Sequence, residues 1–103
     1  MIDVEHWNEA SDGPLSEAGL QRRLEAQGYR VTRYVYPPGT YFPPHSHAAD
    51  KIDAVLTGRF QLTVQGEDVV LTAGDCLAVP KGVQHSAAVI GNDSVISLDA
   101  IKL

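Results

Sequence analysis

The chain is organised around the stretch Pro43-Pro44-His45-Ser46-His47, in which two histidines are separated by a single residue. In an extended segment, the side chains of residues i and i+2 point to the same face. His45 and His47 are therefore expected to present two imidazoles to one space. Because imidazole is the commonest metal ligand in proteins, this stretch predicts half of a metal site.

Composition is typical of a small soluble globular protein. The 103 residues suffice for one domain, and the hydrophobic and charged fractions are 44% and 20%. A formal net charge of -5 argues against a nucleic-acid partner, because such binding neutralises phosphates with basic residues. We find neither a membrane-spanning stretch nor a signal peptide, so we expect no membrane partner and a cytoplasmic protein.

The periodicity of the sequence changes near residue 29. Residues 1–14 look irregular, and residues 16–27 predict a short helix with Ser16 as its N-cap and Gly28 just past its end. Roughly eight short extended runs follow, separated by glycine and proline turns, which predicts an all-β sandwich or barrel. We therefore divide the chain into an N-terminal arm with a short helix (1–28) and a barrel domain (29–103). The clearest predicted strands are 30–36, 52–56, 59–65, 69–71, 76–79, 86–90 and 94–101.

A third candidate ligand, His85, lies far from the first two in sequence. It ends the pattern Gly74-x5-Pro80-x-Gly82-x2-His85, in which the glycines permit tight turns and the proline closes a strand. Histidines from two non-adjacent segments can converge inside a small barrel, where a rigid sheet would fix their geometry.

These two segments resemble the two sequence motifs of the cupin family. The pattern Gly39-x5-His45-x-His47, continuing to Gly58, is similar to the first motif, and the pattern ending at His85 is similar to the second. The 15 residues of 59–73 match the short spacer of small bacterial members. The resemblance implies a double-stranded β-helix of the jelly-roll type, a divalent metal in the barrel, and often a homodimer.

The resemblance also implies a function. His45, His47 and His85 would hold the metal, whose identity stays open among Fe, Zn, Ni, Mn and Cu, because imidazole suits several metals. The implied activity is oxygenase or isomerase chemistry on a small polar or anionic molecule. The alternatives are a non-catalytic module that binds or senses a small molecule, and an interaction scaffold with vestigial histidines.

Lys51 departs from the family pattern, which has a glutamate at this position. An ammonium beside a divalent cation would repel it, and three alternatives follow. In the first, the three histidines alone hold the metal, water or substrate completes the site, and Lys51 turns away or binds an anionic substrate. In the second, a nearby carboxylate replaces the glutamate, either Asp53 or, if the strand bulges, Asp50. In the third, metal binding is lost and Lys51 pairs with Asp50 or Asp53.

Asp53 is expected on the interior face of its strand, together with Lys51 and Val55. An interior carboxylate rarely lacks a partner. Asp53 therefore either pairs with Lys51 or has a role, as a general base or by orienting a ligand histidine. Asp53 and Lys51 are the candidate catalytic residues, whereas His6 has no ligand-like spacing and is expected to be an ordinary surface histidine.

Overall fold

The computed structural model describes residues 2–103 and consists mainly of two antiparallel β-sheets. The five-stranded sheet has the order β1-β7-β4-β9-β2, and the four-stranded sheet has the order β3-β8-β5-β6. This is the predicted all-β jelly roll with a short N-terminal helix. The elements in chain order are β1 (Val4–His6), α1 (Glu9–Asp12), α2 (Glu17–Ala26), β2 (Tyr29–Tyr36), β3 (Tyr41–His45), β4 (Lys51–Thr57), β5 (Phe60–Val64), β6 (Glu67–Leu71), β7 (Asp75–Val79), β8 (His85–Val89) and β9 (Val95–Lys102).

The helix α2 begins and ends where its capping residues predict. The Ser16 hydroxyl accepts a hydrogen bond from the Gly19 backbone N–H at 3.0 Å, which satisfies one of the free donors of the first turn. Gly28 follows the helix with a φ of 90°, a conformation that glycine adopts without strain. Within residues 2–103, neither helix has the length and apolar character needed to cross a membrane.

Residues 2–14 are more ordered than the sequence indicates. The strand β1 pairs antiparallel with β7, so that Val4 lies opposite Leu77, and Asn8 caps the single turn of α1. The indole of Trp7 donates a hydrogen bond to the Gly13 carbonyl at 2.8 Å. A strand of three residues carries no usable alternation, and its existence is decided by the neighbour with which it pairs.

Two apolar clusters lie on opposite faces of the five-stranded sheet. One fills the space between the two sheets and includes Val55, Phe60 and Leu62. The other lies under α2, where Leu20 and Leu24 are almost fully buried. Burial of each leucine contributes about 1.5–3 kcal/mol to stability.

The strand β4 is covered on both faces. Its outward face packs under α2 through Ile52, Ala54 and Leu56. Its inward face carries Lys51, Asp53 and Val55, as the alternation predicts, and all three are buried. The fold therefore places two charged side chains between the sheets.

Candidate metal centre

The structure brings together the three histidines that the sequence singles out. His45 ends β3, His47 follows two residues later, and His85 begins β8. Because β3 and β8 are paired with His45 directly opposite His85, the two motifs meet at one end of the four-stranded sheet. One ring nitrogen from each histidine lies within 4.8 Å of those of the other two. We call these residues the histidine triad.

Backbone carbonyls fix the orientation of two triad rings. The Nδ1 atom of His45 lies 2.7 Å from the Pro43 carbonyl oxygen, and the Nδ1 atom of His85 lies 3.0 Å from the Val83 carbonyl oxygen. A carbonyl oxygen only accepts hydrogen bonds, so each Nδ1 carries the proton and donates it. Each Nε2 is left with a free lone pair, which is the form that binds a metal.

His47 provides the strongest evidence that the triad fits a cation. Its Nε2 atom is buried and has no hydrogen-bond partner among the described residues. Buried polar atoms in native structures nearly always have a partner, and an exception requires an explanation. A metal ion bound by the triad would supply the missing partner, so the residues present fit a divalent metal.

The surroundings of His47 and His85 favour the neutral state that a metal ligand requires. Burial lowers the pKa of His47, and the nearby Lys51 ammonium lowers it further. Burial likewise lowers the pKa of His85, against the opposing effect of its hydrogen bond to Val83. Neutral imidazole can bind a metal without first losing a proton.

The triad opens into a cavity of about 290 Å³ between the sheets. One side of this cavity is aromatic: the rings of Tyr36 and Phe60 stack with centroids 5.5 Å apart, and Phe42 meets Tyr36 edge-on at 5.0 Å. The other side is charged. A groove of about 610 Å³ lies elsewhere, beside β1, and contains none of the triad. The cavity is lined by Tyr34, Tyr36, Phe42, His45, His47, Lys51, Asp53, Phe60, His85, Ala87 and Asp99.

Lys51 is paired with a residue that the sequence reasoning missed. Its Nζ atom lies 2.7 Å from Oδ1 of Asp99, on β9, and the two side chains are only 10% and 17% exposed. The angles at Asp99 Oδ1 do not fit a hydrogen bond, so the contact between Lys51 and Asp99 is an ion pair. The prediction that Lys51 pairs with Asp50 or Asp53 is therefore wrong. Asp99 is the diagonal neighbour of Lys51 on the adjacent strand, which a long side chain can reach. The separation of the two residues in sequence does not reveal this contact.

Asp50 does not replace the missing glutamate. Its Oδ1 atom accepts a hydrogen bond from the Lys81 backbone N–H at 2.8 Å, and its side chain is not part of the cavity lining. The inward bulge that this alternative needs is absent at that end of β4, whose register shift falls between Val55 and Thr57.

Asp53 does lie in the cavity. It is 9% exposed and stands directly opposite Asp99 in the pairing of β4 with β9. Burial raises the pKa of Asp53 to about 6, with Lys51 opposing the rise and Asp99 adding to it. We call Lys51, Asp53 and Asp99 the charged triplet. One signal for Asp99 is present in the sequence, since it is the only ionisable residue on the inward face of β9.

Comparison with known proteins identifies the family. A cupin-domain family model matches residues 32–101. The chain belongs to the cupin family. This cupin is 27% identical over 86 residues to a gentisate 1,2-dioxygenase from Ralstonia, in a match that covers 82% of the chain and 24% of the relative. The chain therefore spans about a quarter of the length of the curated relative that it matches.

Solved structures share the fold. A predicted oxalate decarboxylase from Thermotoga maritima matches with a TM-score of 0.66 and 26% identity, over 99% of this cupin and 80% of that chain. An RmlC-like cupin from Shewanella frigidimarina matches with a TM-score of 0.64 and 28% identity, over 72% of this cupin and 65% of that chain.

Proposed function

We propose that this cupin binds a divalent transition metal through His45, His47 and His85 and uses it to hold a small anionic molecule in the cavity. The observation that carries the proposal is the buried, unpartnered Nε2 of His47, next to two histidines whose Nδ1 protons are donated to backbone carbonyls. Three histidines with open positions beside them are the donor set of many catalytic metal sites.

The charges of the site favour an anionic ligand. Three neutral imidazoles leave both positive charges of a divalent ion uncompensated. The glutamate of the family pattern is replaced by Lys51, whose own charge is balanced by Asp99 at 2.7 Å. A carboxylate or phenolate from the bound molecule would therefore supply negative charge at the open positions of the metal, where none of the three triad ligands carries any.

The shape of the cavity adds a second requirement. About 290 Å³ between the aromatic side and the charged triplet suits a single ring or a short chain that carries an acidic group. When bound, the metal would supply Lewis-acid chemistry and, if it is iron, chemistry with dioxygen. The match to a gentisate 1,2-dioxygenase supports the oxygenase form of the proposal. Metal-dependent ligand binding without turnover would instead indicate a binding module.

The direct test is the metal content of untagged protein, measured with His85→Ala beside the wild type. We expect near-stoichiometric metal in the wild type and a severe loss in the variant. His6→Ala is the matched control, because His6 is largely exposed and contacts Asp75 instead. Equal metal content in wild type and His85→Ala would contradict the proposal. Oxygen uptake by the iron-loaded protein with small aromatic acids would then test the oxygenase form.

The homodimer expected from the family resemblance remains a prediction. Sedimentation of the purified chain would test it.

A further inference from the structure

Asp53, which is buried, and Asp99, whose side chain is 17% exposed, form a pair of carboxyl groups on the sheet that faces the histidine triad. They lie directly across from each other in the β4–β9 register. Like charges in that position destabilise an antiparallel pair, so a compensating charge or proton is required. Among residues 2–103, the only ammonium that lines the cavity belongs to Lys51, and its ion pair is with Asp99. Asp53 is therefore the carboxyl group without a cation of its own.

We infer that Asp53 is the proton acceptor of the cavity and that Asp99 and Lys51 are positioning residues that set its basicity. The inference rests on the proposed function, because it assigns Asp53 a role toward a molecule held next to the triad. It also narrows the ligand class. The molecule would be a small carboxylic acid that carries a second acidic hydrogen, such as a phenol or an alcohol.

The other ionisable groups of the cavity are not suited to accept a proton from the bound molecule. A metal would use one nitrogen of each triad histidine, and the Nδ1 atoms of His45 and His85 already donate to backbone carbonyls. Lys51 is engaged as the cation of its ion pair. Burial, with added repulsion from Asp99 and Asp53, raises the pKa of Tyr36, so this phenol keeps its proton.

The surroundings of Asp53 adjust it to accept a proton near neutral pH. Burial is the main cause of its raised pKa of about 6, Lys51 opposes the effect, and the negative charge of Asp99 adds to it. A general base is most efficient when its pKa is close to the working pH. No hydrogen bond among the described residues joins either carboxyl group to the histidine triad. The other titratable groups that line the cavity are Lys51 on β4, Asp99 on β9, Tyr34 and Tyr36 on β2, His45 and His47 on and after β3, and His85 on β8.

The proton transfer is balanced within the cavity. A carboxylate oxygen of Asp53 takes the proton of the substrate O–H group, and the electron pair of that bond stays on the substrate oxygen. The new carboxylic acid of Asp53 then donates a hydrogen bond to the Asp99 carboxylate. Lys51 offsets the negative charge of Asp99. No oxidant, reductant or other co-reactant is needed for this step.

Carbon-13 NMR titration of the aspartate carboxyl carbons tests the pair without any metal or ligand. We expect the Asp53 resonance of the full chain to titrate near pH 6. In Asp99→Asn its midpoint should fall by about one unit or more, because the like charge is gone and Lys51 is free to pair with Asp53. In Lys51→Gln the midpoint should rise. The exposed Asp93 serves as control through Asp93→Asn.

The Asp53 midpoint should shift in opposite directions in the two variants. This distinguishes a specific effect of Asp99 and Lys51 on the basicity of Asp53 from a general loss of structure. A midpoint for Asp53 near 4 in the wild type, or shifts of the same sign in Asp99→Asn and Lys51→Gln, would overturn the inference. Because these measurements use metal-free protein, they succeed or fail independently of metal binding by the triad.

Isothermal titration calorimetry tests the proton transfer to Asp53 itself, because it measures how many protons are released when a ligand binds. Salicylate is titrated into zinc-loaded protein in two buffers of different ionisation enthalpy, with 2-methoxybenzoate as the probe that has no phenolic proton. The wild type should release about one proton fewer per salicylate than Asp53→Asn, and the two proteins should not differ with 2-methoxybenzoate. Equal proton release with salicylate, or no binding of salicylate by the zinc-loaded wild type, would contradict the role or the ligand class.

Discussion

The histidine triad and the charged triplet line the same cavity, but they are held in different ways. His45 and His85 donate hydrogen bonds to carbonyls two residues earlier in the chain. Lys51 and Asp99 are 48 positions apart in sequence and meet only because β4 pairs with β9. Two of the three triad rings are thus oriented by their own segments, whereas the triplet depends on the sheet. We expect a change in the triad to remove a ligand, and a change in the triplet to alter both stability and charge.

The largest effect should follow from breaking the charged triplet. In metal-free protein, Lys51→Met leaves two facing carboxyl groups without a cation. Removing one partner of a buried ion pair costs about 3–5 kcal/mol, and chemical denaturation at pH 7 would measure that loss. The matched control is Arg33→Met, since the Arg33–Glu17 pair is 47% and 45% exposed and should contribute under about 1 kcal/mol. Similar losses in the two variants would contradict the distinction between a buried and a solvated pair.

The next effect in size tests the triad. His47→Ala removes the ligand whose Nε2 is buried without a partner, so metal affinity should fall by more than the roughly 10–100-fold that the loss of a supporting residue causes. Competition with a fluorescent chelator would measure it. Ser46→Ala is the control, since Ser46 is exposed and belongs neither to the triad nor to the cavity lining. Full metal affinity in His47→Ala would show that the triad is not the metal site.

A smaller effect should follow from a substitution that acts on both the histidine triad and the charged triplet. Lys51→Glu restores the carboxylate of the family pattern and should raise metal affinity by about tenfold, because a repelling ammonium is replaced by an attracting charge. The same change places a third carboxyl group beside Asp53 and Asp99, so the metal-free protein should lose stability. Measuring both quantities in one variant separates the roles. A fall in metal affinity would show that Lys51 supports the site.

The smallest effect is a difference in pH dependence. The pKa values of His47 and His85 are lowered by folding, so these two histidines should destabilise the metal-free protein as pH falls below the ordinary histidine pKa of about 6.5. The pKa of Asp53 is raised to about 6. Its contribution therefore has the opposite sign, and stability relative to Asp53→Asn should improve as pH falls from 7 to 4. Denaturant unfolding at several pH values would measure both. A constant difference between wild type and Asp53→Asn would contradict the assignment.

The same contrast explains how much could be predicted from the sequence. The spacing of His45, His47 and His85 predicts their convergence, because the motifs encode it within short segments. The start of α2 at Ser16 and the inward face of β4 follow equally from local signals. The chain carries no local signal for the pairing of Lys51 with Asp99, which depends on strand register. β1 was missed for the same reason, since its pairing with β7 is a tertiary contact.

Every side chain of β4 from Lys51 to Leu56 is buried, and this has a consequence for the evolution of the site. A lineage that exchanges Lys51 for glutamate without altering Asp99 gathers three carboxyl groups in one cavity. Viable paths therefore change both positions. In an alignment of cupins with this spacing, we expect the two positions to covary, with a base at 51 accompanied by an acid at 99 and an acid at 51 accompanied by a neutral residue at 99. The residues at positions 51 and 99 together, rather than the residue at 51 alone, would then indicate the chemistry of the site.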